Sequence, residues 1–163
     1  MKTISPAFKG IITGALMVLI SIGIFLLKHS FENGLQYITY AVYILGILWT
    51  LMDYKPESPE KAKFGSYFGQ GFRCYIVVTL IMVLFTYVFL QLNPGMKDEM
   101  AANLQKELEK NGNLTPKEIA ENVQRGKDYF AVMLVSMTVF GYLLIGSLIT
   151  LIAAAFFSQR RAS

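Results

Sequence analysis

From Tyr129 to Gln159 the chain runs for 31 residues without a charged side chain, YFAVMLVSMTVFGYLLIGSLITLIAAAFFSQ. As a helix rising 1.5 Å per residue this run would be about 46 Å long, and the hydrocarbon core of a bilayer needs only about 20 apolar residues. It predicts an integral membrane protein, so the rest of the chain is read with lipid as part of its solvent. Three more uncharged runs follow the same logic: Gly10–Leu27 with 18 residues, Asn33–Met52 with 20 and Cys74–Met96 with 23. Each reaches the length of about 18 residues at which an apolar run becomes a candidate span. Charged residues are only 16% of the chain, against about 25% in a soluble domain, and they cluster between the runs. A soluble all-α bundle is the competing architecture, but such a helix keeps a polar face and these runs have none. The expected fold is therefore all-α: a four-helix transmembrane bundle forming one domain over residues 1–163, with an extramembrane helical hairpin between spans 3 and 4. The expected spans are about 8–27, 35–52, 73–92 and 130–157, and the hairpin about 96–128.

Span 1 starts after Ser5-Pro6, proline being tolerated in a first helical turn. Lys2 and Lys9 precede the charge-free run as in a signal peptide, but Lys28-His29 stands where a small-residue cleavage site would be, so a retained first span is expected. Gly10 and Gly14 form a GxxxG spacing, which lets a second backbone approach closely, within the bundle or at a dimer seam. Asn33-Gly34 marks a turn, and His29, the one histidine, reads as an interfacial polar residue. Tyr37, Tyr40, Trp49 and Tyr54 bracket span 2 as interfacial aromatic belts do.

After Pro56 and Pro59 the chain reads FGSYFGQGF at Phe64–Phe72. Aromatics at steps of three and four predict a short amphipathic helix in the interface, with Gly65 and Gly69 permitting a bend into span 3 or close packing. A phosphate-binding loop is excluded there: no strand precedes it and no Lys-Ser/Thr completes it. Asn93-Pro94-Gly95 closes span 3. Met96, Met100, Leu104 and Leu108 then give a helix with a narrow apolar stripe, ended by Asn111-Gly112-Asn113. Thr115-Pro116-Lys117-Glu118 restarts a helix with a capping box, and Ile119, Val123 and Phe130 carry its apolar face into span 4, with Gly126 the expected kink. In span 4, Gly141, Gly146, Ser147, Thr150, Ala153 and Ala154 make a small-residue face for packing.

The spans contain no constellation for catalysis. A thiol–imidazole pair would need Cys74 and His29, which fall on opposite sides of the expected bilayer. One cysteine also excludes an internal disulfide and a cysteine-based metal site. Asp98-Glu99 and Glu107/Glu109 sit among lysines and read as a solvated, ion-paired face. No catalytic, cofactor-binding or metal residue is expected, and the chain is not expected to be an enzyme. The candidate positions are instead for helix packing or an oligomer face: Gly10, Gly14, Gly65, Gly69, Gly141, Gly146, Ser147, Thr150 and Ala154.

The four spans, FGSYFGQGF entering span 3, Asn93-Pro94 closing it, the LTPKEI restart and GSLITLIAAAFF before terminal arginines occur in an order that resembles a bacterial membrane family, the domain of unknown function 4199, over essentially the whole chain. The resemblance implies a small inner-membrane protein without established catalytic residues. By analogy, small four-span proteins of this kind accompany membrane glycosyltransferases or lipid-carrier handling. The expected role is a non-enzymatic accessory or scaffold binding a membrane partner, the alternative a small transporter or lipid translocator working as a homodimer. The lipid bilayer is the expected environment, and nucleic acid is not an expected partner.

The net charge of +4 fits a topology better than a polyanion partner. The N-terminus, loop 2 and C-terminus hold eight basic and three acidic residues, whereas loops 1 and 3 hold seven and eight. Basic residues collect on the cytoplasmic side. Both termini are therefore expected in the cytoplasm and residues 93–128 outside it. A phosphatase reporter fused after Gly112 is expected to be active outside the cell, and a reporter active only in the cytoplasm would reverse the topology.

Overall fold

A computed structural model describes residues 4–26, 36–56, 63–112 and 114–160. Among them are five helices: α1 (Pro6–Leu26), α2 (Gln36–Met52), α3 (Phe64–Leu92), α4 (Gly95–Asn111) and α5 (Pro116–Arg160). The turn at Asn33-Gly34, His29, Pro59 and Asn113 lie outside the described residues. Three of the helices, α1, α3 and α5, are long and apolar enough to cross a membrane; α2, with 17 residues, is apolar but shorter.

Local chemistry sets the helix ends. Ser5 Oγ accepts from the Phe8 amide at 3.3 Å, with Pro6 in the first turn. Asn93 stops α3 by folding its side-chain amide back onto the Phe89 carbonyl at 2.9 Å. Gly112 ends α4 at φ 65°, a left-handed conformation that glycine adopts without a Cβ clash. Thr115 then caps α5 reciprocally. Its amide donates to Glu118 Oε2 at 2.7 Å, and its hydroxyl accepts from the Glu118 amide at 3.4 Å.

One expectation is corrected. Phe64–Phe72 is not a separate short helix: it is the first part of a 29-residue α3. The reason is one unbroken buried face, with Tyr67, Gly71, Cys74, Tyr75 and Val78 following each other at helical spacing. Helix α1 starts ahead of the charge-free run and includes Lys9, an ionisable residue within an apolar helix. The charge-free run starts at Gly10, but a helix boundary is set by the Ser5-Pro6 cap and not by charge.

The chain divides into two compact units, Met1–Val83 with Val139–Ser163, and Leu84–Thr138. In the first, Met17, Tyr43, Ile47, Leu51, Cys74, Val78 and Ala154 are fully buried. Leu19, Leu45, Leu80 and Ile152 point outward from the same helices, more than half exposed. Monomeric soluble proteins rarely show such contiguous apolar surface; hydrocarbon tolerates it without cost.

Close backbone approach knits this unit. A Cβ on Gly10 would lie 2.6 Å from the Cys74 carbonyl oxygen, and one on Gly14 would strike Ile81, so α1 packs backbone-close on α3. Gly46 of α2 receives the Thr13 side chain, Gly71 of α3 receives Thr150, and Gly146 of α5 receives the Tyr43 hydroxyl and the Tyr75 ring. In the second unit, Ala101 and Phe130 are buried, a Cβ on Gly126 would meet Leu104 at 2.9 Å, and Lys127 Nζ bonds Asp98 at 2.9 Å. α5 passes through Gly126 as one helix, and the glycine makes room for α4.

Gly146→Ala is expected to destabilise by roughly 1–3 kcal/mol, because the added methyl displaces Tyr43. Gly141→Ala meets nothing within 4 Å and is expected to stabilise by about 0.5–1 kcal/mol through helix propensity. Thermal unfolding of both variants in one detergent measures the contrast.

Candidate functional site

The chemistry-bearing groups of the first unit form a polar seam on the inner faces of α1, α2, α3 and α5. At one end, Lys9 is buried to 2% exposure although it is a primary amine in an apolar helix. It lies on the face that also carries Gly10, Thr13 and Met17. Its ammonium forms an ion pair with Asp53, the first residue after α2, and stands 5.3 Å from the centre of the Trp49 ring. Burial of an ammonium demands such partners, since an unpaired charge in an apolar interior is very costly. Asp53 is half-buried; its hydrogen bond from Lys9, and then that cation's charge, hold its carboxyl below the usual carboxylate range.

Deeper in the seam the groups are neutral. Tyr43 Oη donates to the Tyr142 carbonyl at 2.8 Å, and the two rings meet edge to face at 5.3 Å. Tyr75 Oη and Ser147 Oγ are 3.1 Å apart. Thr13, Thr50 and Thr79 each donate to the carbonyl four residues back, at 2.9, 2.9 and 2.8 Å. Such back-bonding is how a hydroxyl is carried inside a membrane helix. Two hydroxyls depart from the pattern: Tyr67 Oη and Thr150 Oγ1 are buried and have no partner among the described residues. Thr150 is turned toward Gly71, whose absent side chain leaves the space.

The glycines and small residues singled out from the sequence separate into two sets. Gly10, Gly14, Gly146, Ser147, Thr150 and Ala154 lie in contact or buried inside the first unit. Gly65, Gly69 and Gly141 have nothing within 4 Å of a would-be Cβ. Sequence reasoning missed Lys9, Asp53, Tyr43, Gly46 and Gly71. The signal for the first two was a basic residue just before one apolar run and an acidic residue just after the next. Tyr43 and Tyr142 gave another, because a mid-span phenol needs an internal acceptor.

Elsewhere a few charged groups form local pairs. Lys127 holds the exposed Asp98 below the usual carboxylate range, by hydrogen bond first and by charge second. Gln105 and Glu109 bond at 2.8 Å along α4. A groove of about 360 Å³ runs between them and α5, floored by Ile119, Ala120 and Val123 and rimmed by Gln105, Gln124 and Lys127. No group of three or more His, Cys, Asp or Glu side chains that could hold a metal ion occurs among the described residues.

Three helices long and apolar enough to cross a membrane, with exposed apolar outer faces and mostly satisfied polar groups inside, make this an all-helical protein of the kind that membranes hold. Its profile places it more closely: the chain belongs to the family described as Protein of unknown function (DUF4199), which matches residues 9–159. No curated protein and no solved structure matches it.

The ion pair generates an ordered prediction. Asp53→Asn is expected to destabilise more than Lys9→Met, because the first strands a buried ammonium and the second leaves a half-exposed carboxylate. Because the folded pKa of Asp53 is depressed, its contribution is present above the unfolded value of about 3.9 and is lost as pH falls through the folded value below it. The gap between wild type and Asp53→Asn in thermal melts should therefore close on acidification and stay constant from pH 5 upward.

Proposed function

We propose that this chain is a four-span protein of the bacterial inner membrane, acting as a non-enzymatic accessory or scaffold for a membrane partner. α2 serves as the fourth crossing. Its 17 residues fall at the short end of the range of about 17–25 that spans a bilayer, and Tyr37 and Trp49 lie near its two ends as interfacial anchors. Both termini are cytoplasmic, and α4 with the polar start of α5 forms a hairpin on the other side. One observation supports the accessory reading: the buried hydroxyls of Thr13, Thr50 and Thr79 are spent on carbonyls of their own helices and that of Tyr43 on the Tyr142 carbonyl of α5, which leaves none of the four facing a transported solute. The groove between α4 and α5, with its apolar floor and polar rim, is the surface offered to the partner.

A second reading, a small transporter or lipid translocator working as a homo-oligomer, is favoured by the unpartnered hydroxyls of Tyr67 and Thr150. One comparison separates the two. Affinity purification in mild detergent, followed by mass spectrometry, is run on wild type and on Glu109→Lys/Gln124→Lys. A stoichiometric membrane protein that is lost from the variant, while its gel-filtration profile stays unchanged, is the expected result. Solute or lipid movement by the purified chain alone in vesicles, abolished by Tyr67→Phe or Thr150→Val, would replace the accessory role with transport.

A further inference from the structure

The first three turns of α3 carry an outward face, exposed at Phe64, Gly65, Phe72 and Arg73 and half-buried at Phe68 and Gly69. Phe64, Phe68 and Phe72 stand one turn apart on it, with ring centres 5.9 and 6.2 Å apart, and the outer two rings are 41% and 43% exposed. Beside this ladder runs a second row, Gly65, Gly69 and Arg73, again at intervals of four. A Cβ on either glycine would meet nothing within 4 Å. Arg73 is exposed and makes no ion pair or hydrogen bond among the described residues. Arg73 stands at the end of the Gly65–Gly69 row, and a helical side chain leans toward the N-terminus, so its guanidinium can bend over the open space along those glycines, beside the phenylalanines.

Depth supplies the partner chemistry. From Arg73 to Leu92, where α3 stops, are 20 residues, about 30 Å of helix and the thickness of a hydrocarbon core. With Leu92 at one edge of the hydrocarbon, Arg73 lies at the other, level with the phospholipid phosphates, and Phe64–Phe72 lies among the headgroups. An unpaired guanidinium inside hydrocarbon is expensive, whereas a phosphate accepts its fork through two parallel hydrogen bonds. α3 has no acidic residue, and exposed Lys63 adds a second cation just before the helix.

We infer that this face is a seat for an acidic phospholipid, with Arg73 on the headgroup phosphate, the open space along Gly65 and Gly69 receiving the headgroup, and the phenylalanine ladder flanking it. The inference needs only that α3 cross a bilayer, and stands or falls apart from the accessory role.

Native mass spectrometry of the detergent-purified protein, given equal phosphatidylglycerol and phosphatidylcholine, tests it. Wild type is expected to retain phosphatidylglycerol about fivefold over phosphatidylcholine, the size of effect one basic side chain has near an anionic headgroup. Arg73→Gln should bring that ratio close to one, and Arg73→Lys should keep part of it. Gly69→Leu keeps the charge and fills the open space, and its Cβ meets nothing within 4 Å, so it should fold and still lose the preference. A wild-type ratio near one, or an unchanged ratio in both Arg73→Gln and Gly69→Leu, overturns the inference. So does a doubled mass that Gly69→Leu abolishes without altering lipid adducts, since that space would then seat a second copy of the chain.

Discussion

Apolar side chains gain nothing from each other in lipid that they do not already have from acyl chains, so helices in hydrocarbon stay together by contact and not by dehydration. The first unit depends on this limit. Its contacts are made where glycine removes a side chain and a neighbour moves into the space: Thr13 at Gly46, Thr150 at Gly71, Tyr43 at Gly146, and the α3 backbone at Gly10. These contacts link α1, α2, α3 and α5 in pairs. They also fix register, because a glycine displaced by one turn presents a bulky face to the same neighbour. Dispersion is weak per atom pair and large when summed over a close interface, so the small residues matter for what they admit.

Polar groups in the same interior answer to a second form of the constraint. With little water at hand, a buried donor needs an acceptor inside the chain. Most buried threonines return their hydroxyls to their own helix, while Tyr43 crosses to the Tyr142 carbonyl and so ties α2 to α5. The Lys9–Asp53 pair follows the same rule with charges. Replacing a buried ion pair by apolar side chains is often neutral for stability, and losing one partner is not. Its clearest consequence is positional: Lys9 holds the start of α1 against the end of α2, with the Trp49 ring close to its ammonium.

In the second unit, local capping sets where α4 ends and α5 begins. α4 has a narrow apolar stripe, and its end is set by a left-handed glycine. The start of α5 is capped by Thr115 and Glu118. Gly126 again makes room, this time for Leu104, beside the surface pair of Lys127 and Asp98. Exposed pairs of this kind contribute little to stability, and here the pair mainly marks which turns of the two helices meet.

The sequence by itself determined the helical class, the long apolar helices and several of their ends. Those features are local: length without charge, a serine or threonine before a proline, a glycine where φ must be positive. It also showed that Gly10, Gly14, Gly146 and Thr150 were small residues at helical spacing, but not which neighbour each would meet. Tertiary structure alone decided that Gly10 and Gly14 face α3 while Gly65 and Gly69 face outward, because GxxxG spacing is identical in both places and only the surrounding helices differ. It decided that FGSYFGQGF continues into α3, since an aromatic row at steps of four reads the same on a separate helix as on the first turns of a longer one. It also placed Lys9 in a buried ion pair: pairing residues 44 positions apart in the chain depends on how α1 and α2 meet, and no local pattern encodes that.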